Sequence, residues 1–463
     1  MKQAVIRSTW MEGYGYRLDC SPYLGGALET KVLLEKLLLR KDPLHTLTTG
    51  FDGGIYNGPK FSRTWVESPE YGVPFVGGSA MLYADLSDLP LLSKKQAHGR
   101  QLRHLELQPG MSLISCSGTI GKMVYARADM AGIWSSQHIL KVVADPAKVP
   151  SGYLYAYLSS KFGIPLMVSG TYGSIIQSLG PNNIKDVPVP RLGDALEHEI
   201  HSLVEEAATL RAKAIALRRD ARRTVESALD WKTPSKQLWR SVESPEVIRR
   251  VDAHFHSFGS DCARAVLAAK SKGKRIRDFA VAIFCPDRGA REKVDSAEFG
   301  VPFLSSSDVF HVAPTAEFLI SRRTRNFQSF ILSGEDVLLP RSGSLGGVIG
   351  RAVLPLPNNY NQAGSDHLIR VRCRSVRDAH YLWAILASKP GYVAVLGTAF
   401  GSAIPSLDAQ LVGDLDFPAL PDKEREKITD QVSESVQAAG RAMKLEDDAR
   451  ELLVRTLEAA TDV

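Results

Sequence analysis

The segment that decides the fold is 193–231, GDALEHEIHSLVEEAATLRAKAIALRRDARRTVESALDW. Its apolar residues recur alternately every third and fourth position, and most residues between them are charged. This is the heptad spacing of a helix with one narrow apolar stripe. At about 1.5 Å per residue the helix would be roughly 55 to 60 Å long, so it needs a partner to cover the stripe. The predicted stripe residues are Leu196, Ile200, Leu203, Ala207, Leu210, Ala214, Leu217, Ala221, Thr224, Ala228 and Trp231.

The predicted partner helix is 421–463, at the other end of the sequence. This segment is charged, lacks proline after Pro421, and has apolar residues at the same alternating spacing. We therefore predict that the two helices pair along their stripes. The apolar stripe residues of the second helix are Ile428, Ala438, Ala442, Leu445, Ala449, Leu452 and Ala459, and the polar residues Gln431, Ser435 and Thr456 also occupy stripe positions.

Each long helix follows a globular segment, and the two globular segments repeat each other. Gly72-Val73-Pro74-Phe75 recurs as Gly300-Val301-Pro302-Phe303, an offset of 300 − 72 = 228. Gly118 pairs with Gly343 at 343 − 118 = 225, a difference that insertions in surface loops produce. The repeat is too long for a solenoid unit, so it predicts two like domains.

The predicted fold class is α+β, because short strands and helices follow the same order in both copies. We predict a first globular domain at 1–192, a long helix at 193–231, a proline-containing linker at 232–249, a second globular domain at 250–420 and a second long helix at 421–463.

Composition narrows the class of protein. A net charge of +6 and a pI near 8.9 permit a polyanionic partner without requiring one. Five cysteines without a C-x-x-C pair predict neither a disulfide framework nor a structural zinc site. The most apolar stretch, 32–39, is interrupted by Glu35 and Lys36, and the N-terminus lacks a signal-peptide core. We therefore predict a cytoplasmic protein without a membrane partner.

Two glycine-rich turns, Ser117–Gly121 and Ser342–Gly346, raise the question of a phosphate-binding loop. Phosphate-binding loops of that kind open a helix. Residues 122–125 and 347–350, which follow the two turns, favour strands instead. We therefore predict tight hairpin turns and no bound nucleotide cofactor.

His138 and His367 occupy matching places in the two copies. No carboxylate or thiol is repeated around them, so we predict structural, hydrogen-bonded histidines and no catalytic residue. His254 and His256 have no counterpart in the first copy, which argues against a shared metal site. The sequence also lacks an amino-methyltransferase motif and a phosphate-loop lysine, and it predicts a chain without catalysis.

Basic residues lie in the loop-rich middle of each copy, and these loops differ most between the copies. Lys94 and Lys95 belong to this basic set. One scaffold with two different cationic loop surfaces is what a protein needs to recognise two different nucleic-acid sequences. For any single residue the alternative is a solvated face. The residues that we predict to face DNA are Lys60, Arg63, Arg100, Arg103, Thr171, Tyr172, Arg288, Arg291, Arg322, Arg323, Arg325, Arg341, Thr398 and Phe400.

In their order, these features resemble the specificity subunit of type I restriction-modification systems, over nearly the whole chain. The features that carry the resemblance are the Arg-x-Asp starts at 17–19 and 250–252, the G-V-P-F strands, the S-G-[ST]-[IL]-G turns, the runs Gly170–Ser174 and Gly397–Ser402, the closing Val187-Pro188-Val189-Pro190, and the two long helices.

The resemblance implies a function. In that family each globular copy is a target-recognition domain, and the two long helices form an antiparallel coiled coil that acts as a ruler. It implies a non-catalytic subunit that recognises a bipartite DNA target, one half-site per domain, with the helix length setting the spacer. The same domain type also occurs in related methylation-based defence systems.

The implied partners are double-stranded DNA, two copies of a DNA adenine methyltransferase subunit, and restriction subunits. S-adenosylmethionine would belong to the methyltransferase and ATP-driven cleavage to the restriction subunit, so no cofactor is expected on this chain. Two alternatives stay open from the residues: a two-domain scaffold that binds protein and not DNA, and an enzyme built around His138 and His367.

Overall fold

The computed structural model describes residues 8, 11, 23, 25–169, 178–235, 237, 241–243, 250–251, 255–289, 291–401 and 404–461. The chain forms two compact units, Met1–Ala212 with Arg441–Val463 and Lys213–Gly440. Each unit therefore contains one globular segment together with one half of each long helix. The predicted boundaries at 192, 231, 249 and 420 stay predictions.

Helices in the described residues are short except for two. The long helices are α6, with 35 residues, and α12, with 38. The twelve helices are α1 (Ala27–Lys36), α2 (Lys94–Ala97), α3 (Ser151–Leu158), α4 (Gly163–Ser169), α5 (Pro181–Ile184), α6 (Asp194–Ala228), α7 (Phe258–Ser271), α8 (Ile276–Phe279), α9 (Val376–Ala387), α10 (Lys389–Gly397), α11 (Ala409–Gly413) and α12 (Asp422–Ala459).

The first unit contains three sheets. Its strands are β1 (Lys41–Pro43), β2 (Ile55–Tyr56), β3 (Trp65–Val66), β4 (Gly72–Val76), β5 (Leu91–Ser93), β6 (Ser112–Ser115), β7 (Met123–Tyr125), β8 (Trp134–Ser135), β9 (Ile139–Val142) and β10 (Pro188–Pro190). β1 pairs with β10, and one four-stranded sheet has the antiparallel order β2-β9-β6-β7. The other has the order β3-β5-β4-β8, in which β4 and β8 are parallel.

The second unit repeats two of these sheets. Its strands are β11 (Ala282–Phe284), β12 (Lys293–Val294), β13 (Gly300–Leu304), β14 (Leu319–Ser321), β15 (Asp336–Pro340), β16 (Ala363–Gly364) and β17 (Leu368–Arg372). The orders are β11-β17-β15 and β12-β14-β13-β16, and β13 is parallel to β16.

The strand register confirms the predicted duplication. Val73 of β4 pairs with Leu92 of β5, and Val301 of β13 pairs with Ile320 of β14. Both members of the second pair lie 228 residues after those of the first, since 301 − 73 and 320 − 92 are equal. We call this sheet, β3-β5-β4-β8 or β12-β14-β13-β16, the small sheet of each unit. The predicted α+β class with two pseudo-repeated domains is confirmed.

Each globular core is closed by halves of both long helices. In the first unit, the apolar cluster includes Ile200 and Val204 of α6 and Ala449 and Leu453 of α12. In the second unit, the equivalent cluster contains other residues of the same helices: Ala221, Val225, Ile428 and Val432. The N-terminal part of α6 thus packs with the C-terminal part of α12, and the reverse, which confirms the antiparallel pairing.

The predicted stripe of α6 is wrong at every second position. Ile200, Ala207, Ala214 and Ala221 are buried as predicted, but the positions between them are only partly buried. The alternate buried residues lie one place later: Val204, Arg211, Arg218 and Val225. The sequence analysis chose leucines at 203, 210 and 217 because leucine is more apolar than arginine. Two arginines therefore lie in the stripe where a charged surface was predicted.

The stripe of α12 shows the same displacement. Ile428, Ser435, Ala442 and Ala449 are buried as predicted. The other buried stripe positions, also one place later than predicted, are Val432, Glu446, Leu453 and Leu457. Ala459 is exposed, and Trp231 lies beyond the end of α6. The phase of a heptad is set by the surface that covers it, and here the globular cores decide it.

Two smaller differences concern the second unit. Residues 345–350 form turns where a strand was predicted, and the hairpin is limited to one bridge between Leu338 and Val353. In the first unit the predicted hairpin is present, since β6 pairs with β7. The Arg-x-Asp start at 17–19, Asp252, His254, the run 170–174 with Thr171 and Tyr172, and Ser402 lie outside the described residues. No described helix is long and apolar enough to cross a membrane.

Candidate nucleic-acid interface

The predicted basic residues of both units cluster around the small sheet. Lys60 and Arg63 precede β3, and Arg288 and Arg291 precede β12. Each member of the second pair lies 228 residues after its counterpart, since 288 − 60 and 291 − 63 are equal. The pairs therefore occupy equivalent positions. Lys60 and Arg288 are exposed.

Arg63 is partly buried and tied to the fold. Its Nη2 donates a hydrogen bond to Oε1 of Gln137 at 2.8 Å. Its guanidinium carbon lies 5.3 Å from the centroid of the Phe75 ring, within range of a cation–π interaction. These contacts connect the loop before β3 to the chain after β8, so they hold that loop in place.

Arg291 makes the equivalent contacts in the second unit. Its Nη2 pairs with the carboxylate of Asp366, whose side chain is 8% exposed, and its guanidinium lies 4.9 Å from the Phe303 ring centroid. Phe303 follows Phe75 by 228 residues, and Asp366 follows Gln137 by 229. We call Arg63–Gln137 and Arg291–Asp366 the clasps. One clasp uses an amide and the other a carboxylate.

A second pair of cations follows the middle strand of each small sheet. Lys94 and Lys95 follow β5, and Arg322 and Arg323 follow β14, again 228 residues apart. All four are exposed. Lys94 and Lys95 were recognised as basic but left out of the predicted DNA-facing residues. The offset of 228 was the signal that could have added them.

The backbone holds these cation pairs in the same way in both units. The amide of Lys94 donates to the carbonyl of Tyr71 at 2.8 Å, and the amide of Arg322 donates to the carbonyl of Phe299 at 2.9 Å. Two equivalent backbone bonds on two equivalent strands place the cation pairs identically on the small sheet of each unit.

The turn beside each pair is also repeated. Ser68 Oγ accepts a hydrogen bond from the amide of Glu70 at 3.2 Å, and Ser296 Oγ accepts one from Glu298 at the same distance. The next residue is a large exposed aromatic in both units: Tyr71 is 62% exposed and Phe299 57%. The sequence analysis missed this Ser-x-Glu-aromatic-Gly turn, although it directly precedes the G-V-P-F repeat.

Other predicted residues occur in one unit only. Arg100 and Arg103 are exposed in the first unit, and Arg325 is exposed in the second. They lie where the offset between copies changes from 228 at Lys95 to 225 at Gly118. This stretch therefore differs between the units in length as well as in side chains.

The remaining predicted residues are less uniform. Arg341 is partly buried, and its amide donates to the carbonyl of His367 at 2.8 Å. Phe400 is 43% exposed. Thr398 is 4% exposed, and its hydroxyl donates to the carbonyl of Val395 at 2.7 Å. Its hydroxyl is thus engaged inside the fold, so we leave Thr398 out of the proposed surface.

A fully buried cation lies at the same place in each unit, and the sequence analysis named neither. Lys141 and Arg370, separated by 229 residues, are both 0% exposed. Lys141 Nζ donates to the carbonyl of Ile139 at 3.2 Å and lies 5.5 Å from the Tyr56 ring centroid. Burial lowers the pKa of Lys141 to about 7.

Arg370 has a fuller set of partners. Its two terminal nitrogens donate to the carbonyls of Ser365, Leu368, Phe330 and Gly364 at 2.8 to 3.4 Å. Burial lowers its pKa to about 10, so it keeps its charge at neutral pH. Both cations support the fold from inside and are closed to a ligand.

The two matching histidines have different partners. His138 Nδ1 lies 2.6 Å from Ser117 Oγ, and its Nε2 lies 3.1 Å from the Gln137 amide nitrogen. In the second unit, Ser342 bonds to Ser406 at 3.0 Å. A serine–histidine pair without a carboxylate orienting the ring has the geometry of a structural bond. Within the described residues, no group of three or more His, Cys, Asp or Glu could hold a metal ion.

No protein-family model and no curated protein matches this sequence. The structure is similar to that of the type I restriction-modification system S subunit from M. genitalium, with 11% identity over 92% of this chain and 95% of that chain, at a TM-score of 0.34.

It is also similar to the HsdS subunit from Thermoanaerobacter tengcongensis, with 14% identity over 90% of this chain and 95% of that one, at a TM-score of 0.27. A third match, at 14% identity and a TM-score of 0.29, covers 91% of this chain and 96% of a chain from a structure describing the complex assembly and conformational transition of the type I R-M system.

Proposed function

We propose that this chain is a non-catalytic DNA-specificity subunit of a type I restriction-modification complex, or of a related methylation-based defence complex. One observation carries the proposal: two units of one topology present exposed cations at equivalent positions of the small sheet, beside a stretch that differs between the units. Equivalent cations suit one repeated polyanion, and differing neighbours suit two different sequences along it.

The chemistry of recognition follows from this division. Lysine and arginine side chains would contact phosphates and orient each unit on the duplex. Arginine and polar side chains of the differing stretch would reach base edges, where a good bidentate contact discriminates between bases by about 1 to 3 kcal/mol. Each unit would then read one half of a bipartite target.

The sequence resemblance extends the proposal to partners. Two methyltransferase subunits, carrying S-adenosylmethionine, would bind this chain and methylate adenine in the target, and restriction subunits would supply cleavage. The outer, charged faces of α6 and α12 are the proposed contact for these partners, and their length would set the spacer between half-sites. This chain would hold no cofactor of its own.

The test is selection from a random duplex library with the full chain assembled with its methyltransferase subunit. The expected result is a motif with two fixed half-sites separated by an unspecified spacer of constant length. Recovery of no motif, or of one continuous motif, would contradict the proposal.

A protein-binding scaffold is the second candidate, and one observation favours it. Tyr71 and Phe299 are large, exposed aromatics beside exposed acids, and such residues are typical of protein interfaces. Salt separates the two candidates. Affinity for DNA falls steeply with salt when several phosphates are neutralised, whereas an aromatic contact between proteins is much less sensitive.

A further inference from the structure

We infer that the exposed cations shared by the two units bind DNA phosphates independently of sequence, whereas the exposed cations present in one unit only read bases. The inference rests on the proposed function and assigns roles within it. The shared cations are Lys60, Lys94 and Lys95 in the first unit and Arg288, Arg322 and Arg323 in the second; the unit-specific cations are Arg100, Arg103 and Arg325.

The first argument is geometric. Ser93 of β5 pairs with Gly72 of β4, and Ser321 of β14 pairs with Gly300 of β13. The shared pairs directly follow these two serines in the chain, so the same backbone bonds fix their starting points. A contact that must be made in the same way by both units belongs at such a position.

The second argument comes from how the shared positions have diverged. At each of them a lysine in the first unit is replaced by an arginine in the second: Lys60 by Arg288, Lys94 by Arg322 and Lys95 by Arg323. Lysine and arginine share a charge but differ in shape and hydrogen-bond geometry. A base edge distinguishes the two side chains, whereas a phosphate needs mainly the positive charge. Keeping charge while changing geometry is what phosphate contacts allow.

The clasps behave in the opposite way. Arg63 and Arg291 are arginines in both units, and each makes a directional hydrogen bond and a ring contact inside the fold. Here geometry is kept, so we assign these two arginines as positioning residues. Each clasp holds the loop that carries the shared cation three residues earlier.

Nearby acids oppose phosphate binding and must be counted. Glu70 and Glu298 are exposed in the turns beside the shared pairs, and Glu67 and Asp295 are exposed two residues before the turns' glutamates. Each unit therefore has three shared cations against two shared acids. It follows that removing an acid should strengthen binding to any duplex, which gives the inference a control of opposite sign.

The unit-specific cations lie where the two units differ in length. The offset between copies falls from 228 to 225 between Lys95 and Gly118, so the sheet does not fix a common position for this stretch. Arg100 and Arg103 lie there in the first unit, and Arg325 lies there in the second. Different cations on different backbone paths are suited to reading different bases.

The experiment compares variants of the full chain, assembled with its methyltransferase subunit, on a mixed-sequence duplex and in selection from a random library. Lys94→Ala/Lys95→Ala and Arg322→Ala/Arg323→Ala should each weaken binding to the mixed-sequence duplex about tenfold and lower the salt slope by about one per cation removed. The selected motif should not change.

Three controls accompany these variants. Arg322→Lys/Arg323→Lys keeps the charge and should bind like the wild type. Glu298→Gln removes one acid and should bind the mixed-sequence duplex more tightly. Arg325→Ala should relax one position of the selected motif, with at most the loss of affinity expected from one charge.

The outcomes separate the inference from the proposed function. If removing the shared pairs alters the selected motif but not the salt slope, or if Arg325→Ala leaves the motif intact, the assignment of roles is overturned while DNA recognition stands. If the wild-type complex binds no duplex, both the proposed function and the inference are overturned.

Discussion

In the first unit, Arg211 of α6 meets Glu446 of α12 in an ion pair buried to within a few per cent of full exclusion from solvent, whereas in the second unit Arg218 of α6 donates to the hydroxyl of Ser435 at 2.8 Å and lies 5.5 Å from the Trp383 ring. Arg218 and Glu446 are equivalent by the repeat, since 446 − 218 = 228. One repeat position thus carries opposite charges in the two copies.

This difference teaches how a duplicated scaffold is specified. Two identical helices would bring like charges to equivalent stripe positions, and buried like charges oppose pairing. Because the copies differ here, α6 and α12 complement each other rather than themselves. Buried polar residues in a heptad stripe are known to fix register and partner in this way.

The largest expected effect breaks the ion pair of the first unit. Glu446→Ala leaves Arg211 without its carboxylate inside the fold and should lower the free energy of unfolding of that unit by about 3 to 5 kcal/mol. Ser435→Ala in the second unit removes one hydrogen bond and should cost about 1 to 2 kcal/mol. Urea denaturation followed by hydrogen exchange in each unit measures both, and equal losses would contradict the comparison.

The same carboxylate sets a pH dependence. Burial raises the pKa of Glu446, but Arg211 and Arg450 outweigh it and hold the pKa below its ordinary value of 4.5. The contribution of the ion pair is therefore present above pH 4.5 and is lost as the pH falls through the lowered pKa.

The second prediction compares the buried cations. The pKa of Lys141 is about 7 in the folded chain against an ordinary 10.5, so the unfolded state binds more protons between these values and stability rises with pH across that window. Lys141→Met should remove this slope and stabilise the first unit at pH 7 by a few kcal/mol, on the order expected from such a shift.

Arg370→Met is the matched variant in the second unit. Arg370 keeps its charge over the same window, and its removal leaves four carbonyls without their donor. It should therefore destabilise at every pH. Unfolding measured from pH 7 to 10 distinguishes the two, and a flat profile for the wild-type first unit would refute the role given to Lys141.

A smaller effect is expected from exchanging the clasps. Asp366→Asn replaces a carboxylate by an amide opposite Arg291 and should cost about 1 kcal/mol, because that arginine is partly exposed and screened by solvent. Gln137→Glu makes the reverse change opposite Arg63 and should gain less than that. Thermal unfolding of both variants measures the exchange, and destabilisation by Gln137→Glu would show that the clasps are not equivalent.

The smallest effect sharpens the comparison at the surface. Tyr71→Ser and Phe299→Ser change residues that are more than half exposed, so the free energy of unfolding should change by at most about 0.5 kcal/mol. Phe75→Ala, a buried ring in the same small sheet, should cost about 3 to 5 kcal/mol. A large loss from either surface variant would mean that the turn supports the fold.

Sequence reasoning succeeded where the signal was local or repeated. The offset of 228 located the equivalent strands, and the heptads located α6 and α12. It failed where burial depends on distant contacts. Nothing near Arg370 in the sequence announces that the carbonyls of Phe330 and Gly364 will surround it.

The phase of the stripes was lost for the same reason. Leu203 and Val204 are both apolar, and the core of the first unit selects Val204. At the candidate site, the cations before β3 and β12 were found from their charge. Lys94 and Lys95 were passed over because their equivalence to Arg322 and Arg323 depends on strand register.

The most direct test of the central claim is to map methylated adenines across a genome, at base resolution, in cells with and without this chain. We predict a bipartite methylation motif that disappears when the chain is removed and in which only one half changes when Arg325→Ala is introduced. A methylation pattern that is the same with and without the chain would contradict the account.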